Sequence, residues 1–242
     1  MEFLKGSNPN KEHLYNELVR TRKGCTDCKY LKNPPLRNPS EFEGLDGNTI
    51  GPWSLWQGDL DAQILLVGQD WGTVCHFICH HGKDPNKDPT NSNLVKLFGS
   101  IGYRIKGPED SSYNKHGLFF TNLVLCLKED PDMSKRLLME PKKKCARNFL
   151  KPLIKLIKPK VVIALGKVYE PISLSFGISR QDVPKSVKEA VEKLGGFKLE
   201  SDIVMFPVFH CGHNGYRNRK LDLQERDWQK IKDYLESRHL EI

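Results

Sequence analysis

Ile64-Leu65-Leu66-Val67 runs without a polar residue into Gly68-Gln69-Asp70-Trp71-Gly72, and this stretch decides the fold. A short, wholly aliphatic run with no alternation suits a strand covered on both faces, as in a parallel sheet. The glycine-flanked turn that follows ends it. Three further runs share this character: Leu118–Val124, Val161–Leu165 and Ile203–Val208. Helical spacing fills the intervals over 93–101, 141–157 and 184–194, and a final amphipathic helix is expected over 221–235. Strands alternating with helices through right-handed crossovers predict an α/β fold, a three-layer α/β/α sandwich with a central four-stranded parallel sheet. In such sheets a ligand site forms at the carboxyl ends of the strands. Gly68, Gln69, Asp70, Asn122 and His210 all fall at or just past those ends.

Upstream, residues 10–23 have helical spacing (Leu14, Leu18, Val19) and stop before Cys25-Thr26-Asp27-Cys28. From Tyr30 to Leu60 the chain is rich in Pro, Gly and Asn, and Trp53 and Trp56 are expected to anchor an irregular covering loop. The chain of 242 residues is read as one domain, with residues 1–60 as N-terminal helix, first cysteine pair and covering loop, and 61–242 as the α/β/α core. No stretch reaches the roughly 20 apolar residues of a membrane span, and Met1-Glu2-Phe3-Leu4-Lys5-Gly6 carries no signal-peptide core. A cytoplasmic, monomeric protein is expected. Seven cysteines, an odd number, fit metal ligands and free thiols better than a disulfide framework.

Cys25 and Cys28 form a close pair, and Cys126 and Cys145 stand alone further on. Such a set supplies four soft thiolates to an iron–sulfur cluster; a zinc site or unrelated buried thiols give the same pattern. Cys75, His76, Cys79, His80 and His81 form a second group that is a metal site or a scatter of loop residues. The net charge of +8 is uneven: residues 127–160 hold eleven Lys or Arg against four acids. That segment is expected to attract a phosphate backbone, unless its lysines merely solvate a helix face.

Three strand-end side chains carry the chemistry. Asp70 orients a water molecule or caps a helix. Asn122, in Thr121-Asn122, offers both a donor and an acceptor to a base edge, or completes a strand end. His210 opens the glycine-rich turn Cys211-Gly212-His213-Asn214-Gly215, followed by Tyr216-Arg217-Asn218-Arg219; alone it would read as a core histidine.

The order Gly68-Gln69-Asp70, Thr121-Asn122-Leu123-Val124-Leu125-Cys126, Val161-Val162-Ile163-Ala164-Leu165-Gly166 and His210 resembles the uracil-DNA glycosylase superfamily. The chain is most similar there to the family 4 enzymes. These share an early Cys-x-x-Cys, an Asn-Val-Val-Lys-Cys strand, and a cysteine opening the helix before a Lys-Pro-x-Val-Ile-x-Ala-Leu-Gly strand. The resemblance spans about residues 14–236. Its first motif departs toward the Gly-Gln-Asp-Pro-Tyr of the family 1 enzymes, with Gly72 at the tyrosine that helps exclude thymine. Its last reads His210-Cys211-Gly212 where His-Pro-Ser or His-Pro-Ala is usual.

The resemblance implies a monofunctional DNA glycosylase of base excision repair that hydrolyses uracil from single- or double-stranded DNA. Asp70 and His210 are its catalytic pair: the first orients water and stabilises the sugar cation, the second stabilises the departing base. It implies that Gly68, Gln69 and Asn122 bind the base with Phe77 stacked on it. Gly212, Asn214, Arg217 and Arg219 then contact DNA, and Cys25, Cys28, Cys126 and Cys145 hold a [4Fe-4S] cluster away from the pocket. The other readings of these residues are a nucleic-acid-binding module with weak catalysis, and an enzyme of free nucleosides, for which the basic segment is superfluous.

Overall fold

The computed structural model describes residue 4 and residues 8–34, 48–110, 117–129, 137–193 and 196–238. In chain order the elements are α1 (Pro9–Lys23), β1 (Leu31–Lys32), α2 (Trp53–Trp56), β2 (Ile64–Asp70), α3 (Val74–Cys79), α4 (Pro89–Ser100), β3 (Leu118–Val124) and β4 (Leu127–Lys128). Then follow α5 (Met139–Cys145), a π-helical turn (Ala146–Leu150), α6 (Lys151–Ile157), β5 (Val161–Leu165), α7 (Tyr169–Ser175), α8 (Val187–Lys193), β6 (Phe197–Glu200), β7 (Ile203–Val208), α9 (His213–Asn218) and α10 (Leu221–Ser237).

The central sheet runs β3-β2-β5-β7-β6. The four apolar runs are its parallel strands, in the registers Leu66↔Phe120, Leu66↔Ile163 and Ile163↔Phe206. A fifth strand, β6, pairs antiparallel with β7 at the edge. Its residues alternate buried and exposed or half-buried along Phe197-Lys198-Leu199-Glu200. That pattern belongs to a strand wet on one face, so no apolar run announced it. The sheet therefore has five described strands where four were expected.

Strand parity assigns the two faces. Leu65, Val67, Phe119, Val162 and Ala164 join a core that includes Val19 of α1, Leu153, Ile154 and Ile157 of α6 and Ile172 of α7. Ile64, Leu66, Leu118, Phe120, Ile163 and Val208 face the opposite core with Trp53, Phe77, Leu94 and Trp228. Helices on both faces explain why these strands read as unbroken apolar runs.

Three local features position the site. Trp53 and Trp56 are buried as expected and donate from their indole nitrogens to Asp84 Oδ2 (2.9 Å) and the Lys106 carbonyl (2.7 Å). The small antiparallel sheet Leu31↔Lys128 and Lys32↔Leu127 pins the first cysteine segment beside the exit of β3. The helix expected over 141–157 is interrupted by the π turn, just before Pro152, which lacks the N–H that would continue the regular ladder. Among the described residues no helix is long and apolar enough to cross a membrane.

Candidate active site

At the carboxyl ends of β2, β5 and β7 a cleft of about 560 Å³ opens. Gln69, Asp70, Gly166, His210, Gly212 and Asn214 all line it. The parallel registers bring these strand ends together, so residues 140 positions apart share one wall.

Asp70 ends β2, and both its carboxylate oxygens are engaged. Lys128 Nζ lies 3.2 Å from Oδ1 with both side chains at least nine-tenths buried, and Gln69 Nε2 donates to Oδ2 at 2.9 Å. Lys142, itself buried and on the cleft wall, donates from Nζ to Gln69 Oε1 at 2.6 Å. Lys128 reaches Asp70 because its backbone N–H donates to the Gly72 carbonyl at 2.9 Å. Gly72 has φ 124°, a conformation that favours glycine. Sequence reasoning missed both lysines: inside a basic stretch they read as part of a patch for a phosphate backbone, and only the β3 exit and the start of α5 turn them inward.

The basic segment is thereby divided. Lys142 lines the cleft, Lys128 pairs with Asp70 behind it, Lys144 pairs with Glu140 at 3.0 Å, and Lys155 pairs with Glu200 at 3.1 Å. Lys158 and Lys160 precede β5, at the end of the sheet opposite the cleft. Lys135 and Arg136 lie outside the described residues.

His210 follows β7 and is half-buried, open to the cleft. Burial drives its pKa below the ordinary 6.5, against the opposing pull of Asp70 and Asp88. The Gly212 N–H donates to Nδ1 at 3.0 Å, so the neutral ring carries its proton on Nε2. The turn that holds this histidine is packed without slack. A Cβ on Gly215 would lie 1.5 Å from the His210 carbonyl oxygen, and one on Gly212 would lie 2.6 Å from Thr90 Oγ1. Asn93 Nδ2 donates to the Cys211 carbonyl at 2.8 Å, tying the turn to α4. The buried Cys211 thiol, pushed up to about 12 by burial, stays protonated.

Residues 212–219, read from the sequence as a loop, contain the short helix α9. Asn214 and Arg217 are exposed on it. Arg219 is committed elsewhere: its Nε and Nη2 donate to the two oxygens of Asp227 at 3.0 and 2.6 Å, and its guanidinium lies 5.6 Å from the Phe209 ring. It braces α9 against α10.

Asn122 and Phe77 stand apart from the cleft. They line a second, narrow chamber of about 10 Å³ with Trp71, Gly51 and Leu127. Asn122 is 2% exposed, and neither its Nδ2 nor its Oδ1 has a hydrogen-bond partner. Gly68 pairs with it across the sheet, and a Cβ on Gly68 would lie 2.8 Å from Asn122 Nδ2 and 2.9 Å from the Trp53 ring. The glycine is what lets the amide and the indole meet over β2.

Cys25, Cys28, Cys126 and Cys145 line a third small chamber with Arg22, Leu125, Lys144 and Phe149. All four are free thiols. Burial and the neighbouring cysteines push Cys126 and Cys145 up to about 12. The chamber shares Arg22 and Leu125 with the Asn122 chamber, and Cys126 follows the carboxyl end of β3. The cysteines thus neighbour the strand-end site, where the sequence had put them away from it. Among the described residues no three His, Cys, Asp or Glu side chains come close enough to hold a metal ion. In the other group, Cys75 and Cys79 are exposed with sulfurs 3.8 Å apart, while His76 turns to Asp84 Oδ1 at 3.0 Å.

A family model of the uracil DNA glycosylase superfamily matches residues 55–236. No curated protein matches the chain.

Proposed function

Because the chain belongs to the uracil DNA glycosylase superfamily, we propose that it hydrolyses the N-glycosidic bond of uracil, and of related deaminated bases, in DNA. The observation that carries this reading is the convergence of Asp70 and His210 on one cleft at the carboxyl ends of β2 and β7. In the reaction a water oxygen adds to C1′ of the deoxyribose while the bond from C1′ to the base nitrogen breaks. The bonding pair leaves with the base, so positive charge grows on the sugar and negative charge on the base. The water proton passes to solvent, and the base anion is protonated on release.

Asp70 stabilises the sugar cation and orients the water, and His210 donates from Nε2 to the base oxygen where charge collects. A neutral imidazole with Nδ1 held by Gly212 keeps that donor fixed through the reaction. Lys128, Gln69 and Lys142 hold the Asp70 carboxylate in place, and Arg217 is the exposed cation of α9 that meets a phosphate.

Cys25, Cys28, Cys126 and Cys145 would hold a [4Fe-4S] cluster. Their fit rests on the donor set: the four thiols share one chamber beside two cations, Arg22 and Lys144, and the carboxylate there, Asp27, accepts from Asn148 Nδ2 at 3.1 Å. Among the described residues no three such side chains are close enough for a single ion, whereas a cluster takes one cysteine per iron. When bound, the cluster supplies a tie between the N-terminal segment, the β3 exit and α5, with no part in bond cleavage.

One observation favours a second reading, a DNA-binding module with weak catalysis: a carboxylate neutralised by Lys128 stabilises a sugar cation less than a lone one. A gel assay separates the two. Oligonucleotides, single- and double-stranded, carrying one uracil, hypoxanthine or mismatched thymine are incubated with the protein and then treated with alkali. Scission at uracil supports the glycosylase; retention of DNA without scission at any base supports the module.

A further inference from the structure

We infer that Trp71 gates the approach of a base to Asn122: its indole fills the base subsite and must swing out before a base is bound. This inference rests on the glycosylase reading above and concerns the same site. Among the described residues Trp71 is the only one that lines both the catalytic cleft and the Asn122 chamber. Its ring is 6% exposed and packs edge-on to Phe77 at 4.9 Å and tilted to His76 at 5.2 Å.

The chamber behind the indole has about 10 Å³, which is the space of about one water molecule by the same kind of measure. No nucleobase fits. Yet the chamber holds a fully buried amide with all its hydrogen bonds unmade, and the Nε1 proton of Trp71, which lines the same chamber, is also buried without an acceptor. Leaving two such buried groups unsatisfied is costly. A planar ligand offering a carbonyl and an N–H, as a pyrimidine base does, would satisfy Asn122 once the indole has left. Gly72, next in sequence with φ 124°, has no side chain to close the subsite, and its backbone freedom gives Trp71 a pivot.

When only a fraction of molecules has the subsite open, the apparent affinity for a base is reduced by that fraction. Removing the plug removes the reduction, and Asn122 is the group that gains.

The test measures binding of free uracil by NMR titration to the full-length protein, to Trp71→Ala and Trp71→Phe, and to each of these combined with Asn122→Ala. Trp71→Ala is expected to bind uracil about tenfold or more tighter than the parent, with Trp71→Phe between them. Adding Asn122→Ala should abolish the gain. Equal affinity in the parent and Trp71→Ala, or a gain that survives Asn122→Ala, overturns the inference. Should Trp71→Ala fail to fold by circular dichroism, Trp71→Phe carries the comparison, since the smaller ring opens the same wall. The readout needs no bond cleavage. A gain in uracil binding with no scission by any variant overturns the glycosylase reading alone; scission with no gain overturns the role of Trp71 alone.

Discussion

Lys128 Nζ stands 3.2 Å from Asp70 Oδ1 in a pocket that leaves each side chain less than a tenth exposed. The carboxylate proposed to act in the glycosidic step is therefore half of a buried ion pair. Removing one partner strands the other. Lys128→Met is expected to cost about 3–5 kcal/mol of stability, read from urea unfolding. Asp70→Asn/Lys128→Met should lose less than Lys128→Met alone, because no charge is left unpaired. A loss in the double variant equal to the sum of the Lys128→Met and Asp70→Asn losses would show the pair to be uncoupled.

His210 sets a pH dependence. Its folded pKa lies below the unfolded 6.5 because burial disfavours the charged ring. The unfolded chain therefore binds the extra proton first as pH falls, and the native state is penalised. The contribution to stability is complete above pH 6.5 and is lost as pH falls through the folded value. Protonation also takes the lone pair that accepts from Gly212. Unfolding free energy followed from pH 8 to pH 5 should decline on the acid side, and His210→Gln should flatten that part of the decline. An unchanged slope in His210→Gln would place the titration elsewhere.

The cysteine chamber is expected to hold iron. Protein purified without oxygen should be brown and contain about four irons per chain. Cys126→Ser should reduce iron content and solubility more than it alters the chemistry of the protein that remains folded. Because the Cys126 and Cys145 thiols sit near 12 without metal, iron uptake by the apoprotein must release protons, so reconstitution should improve as pH rises from 7 to 9. Colourless protein with one zinc per chain refutes the cluster.

Much of this was legible in the sequence, for identifiable reasons. The parallel strands announce themselves because burial on both faces removes every polar residue from them. Gly68 and Asn122 share a face by parity, so their meeting across the β2–β3 register follows from strand spacing. The four cysteines converge because β1 pairs with β4. What stayed hidden depends on side chains turning against their local context. Lys128 and Lys142 sit in a basic stretch yet point inward. Arg219 reads as a phosphate ligand beside Arg217, but Asp227, eight residues along the chain, takes two of its three guanidinium nitrogens. Trp71 looked like a turn residue, while its ring divides the cleft from the amide.

The two arginines of the α9 region should therefore behave differently. Arg217→Ala is expected to weaken binding of single-stranded DNA and lower the slope of log affinity against log salt by about one unit. Arg219→Ala should leave that slope unchanged and lower the melting temperature, since it unmakes a bidentate ion pair. Equal effects on the salt slope would place both on phosphate.

The central claim is that Asp70 and His210 together break a glycosidic bond. Single-turnover release of uracil from a uracil-containing oligonucleotide, followed by mass spectrometry, tests it most directly. Release is expected from the parent, with the rate lowered by about 10²-fold or more in Asp70→Asn and clearly slowed in His210→Ala, each at nearly unchanged DNA affinity. Release by Asp70→Asn at the parental rate, or loss of DNA affinity in His210→Ala with the bound substrate still cleaved at full rate, would contradict it.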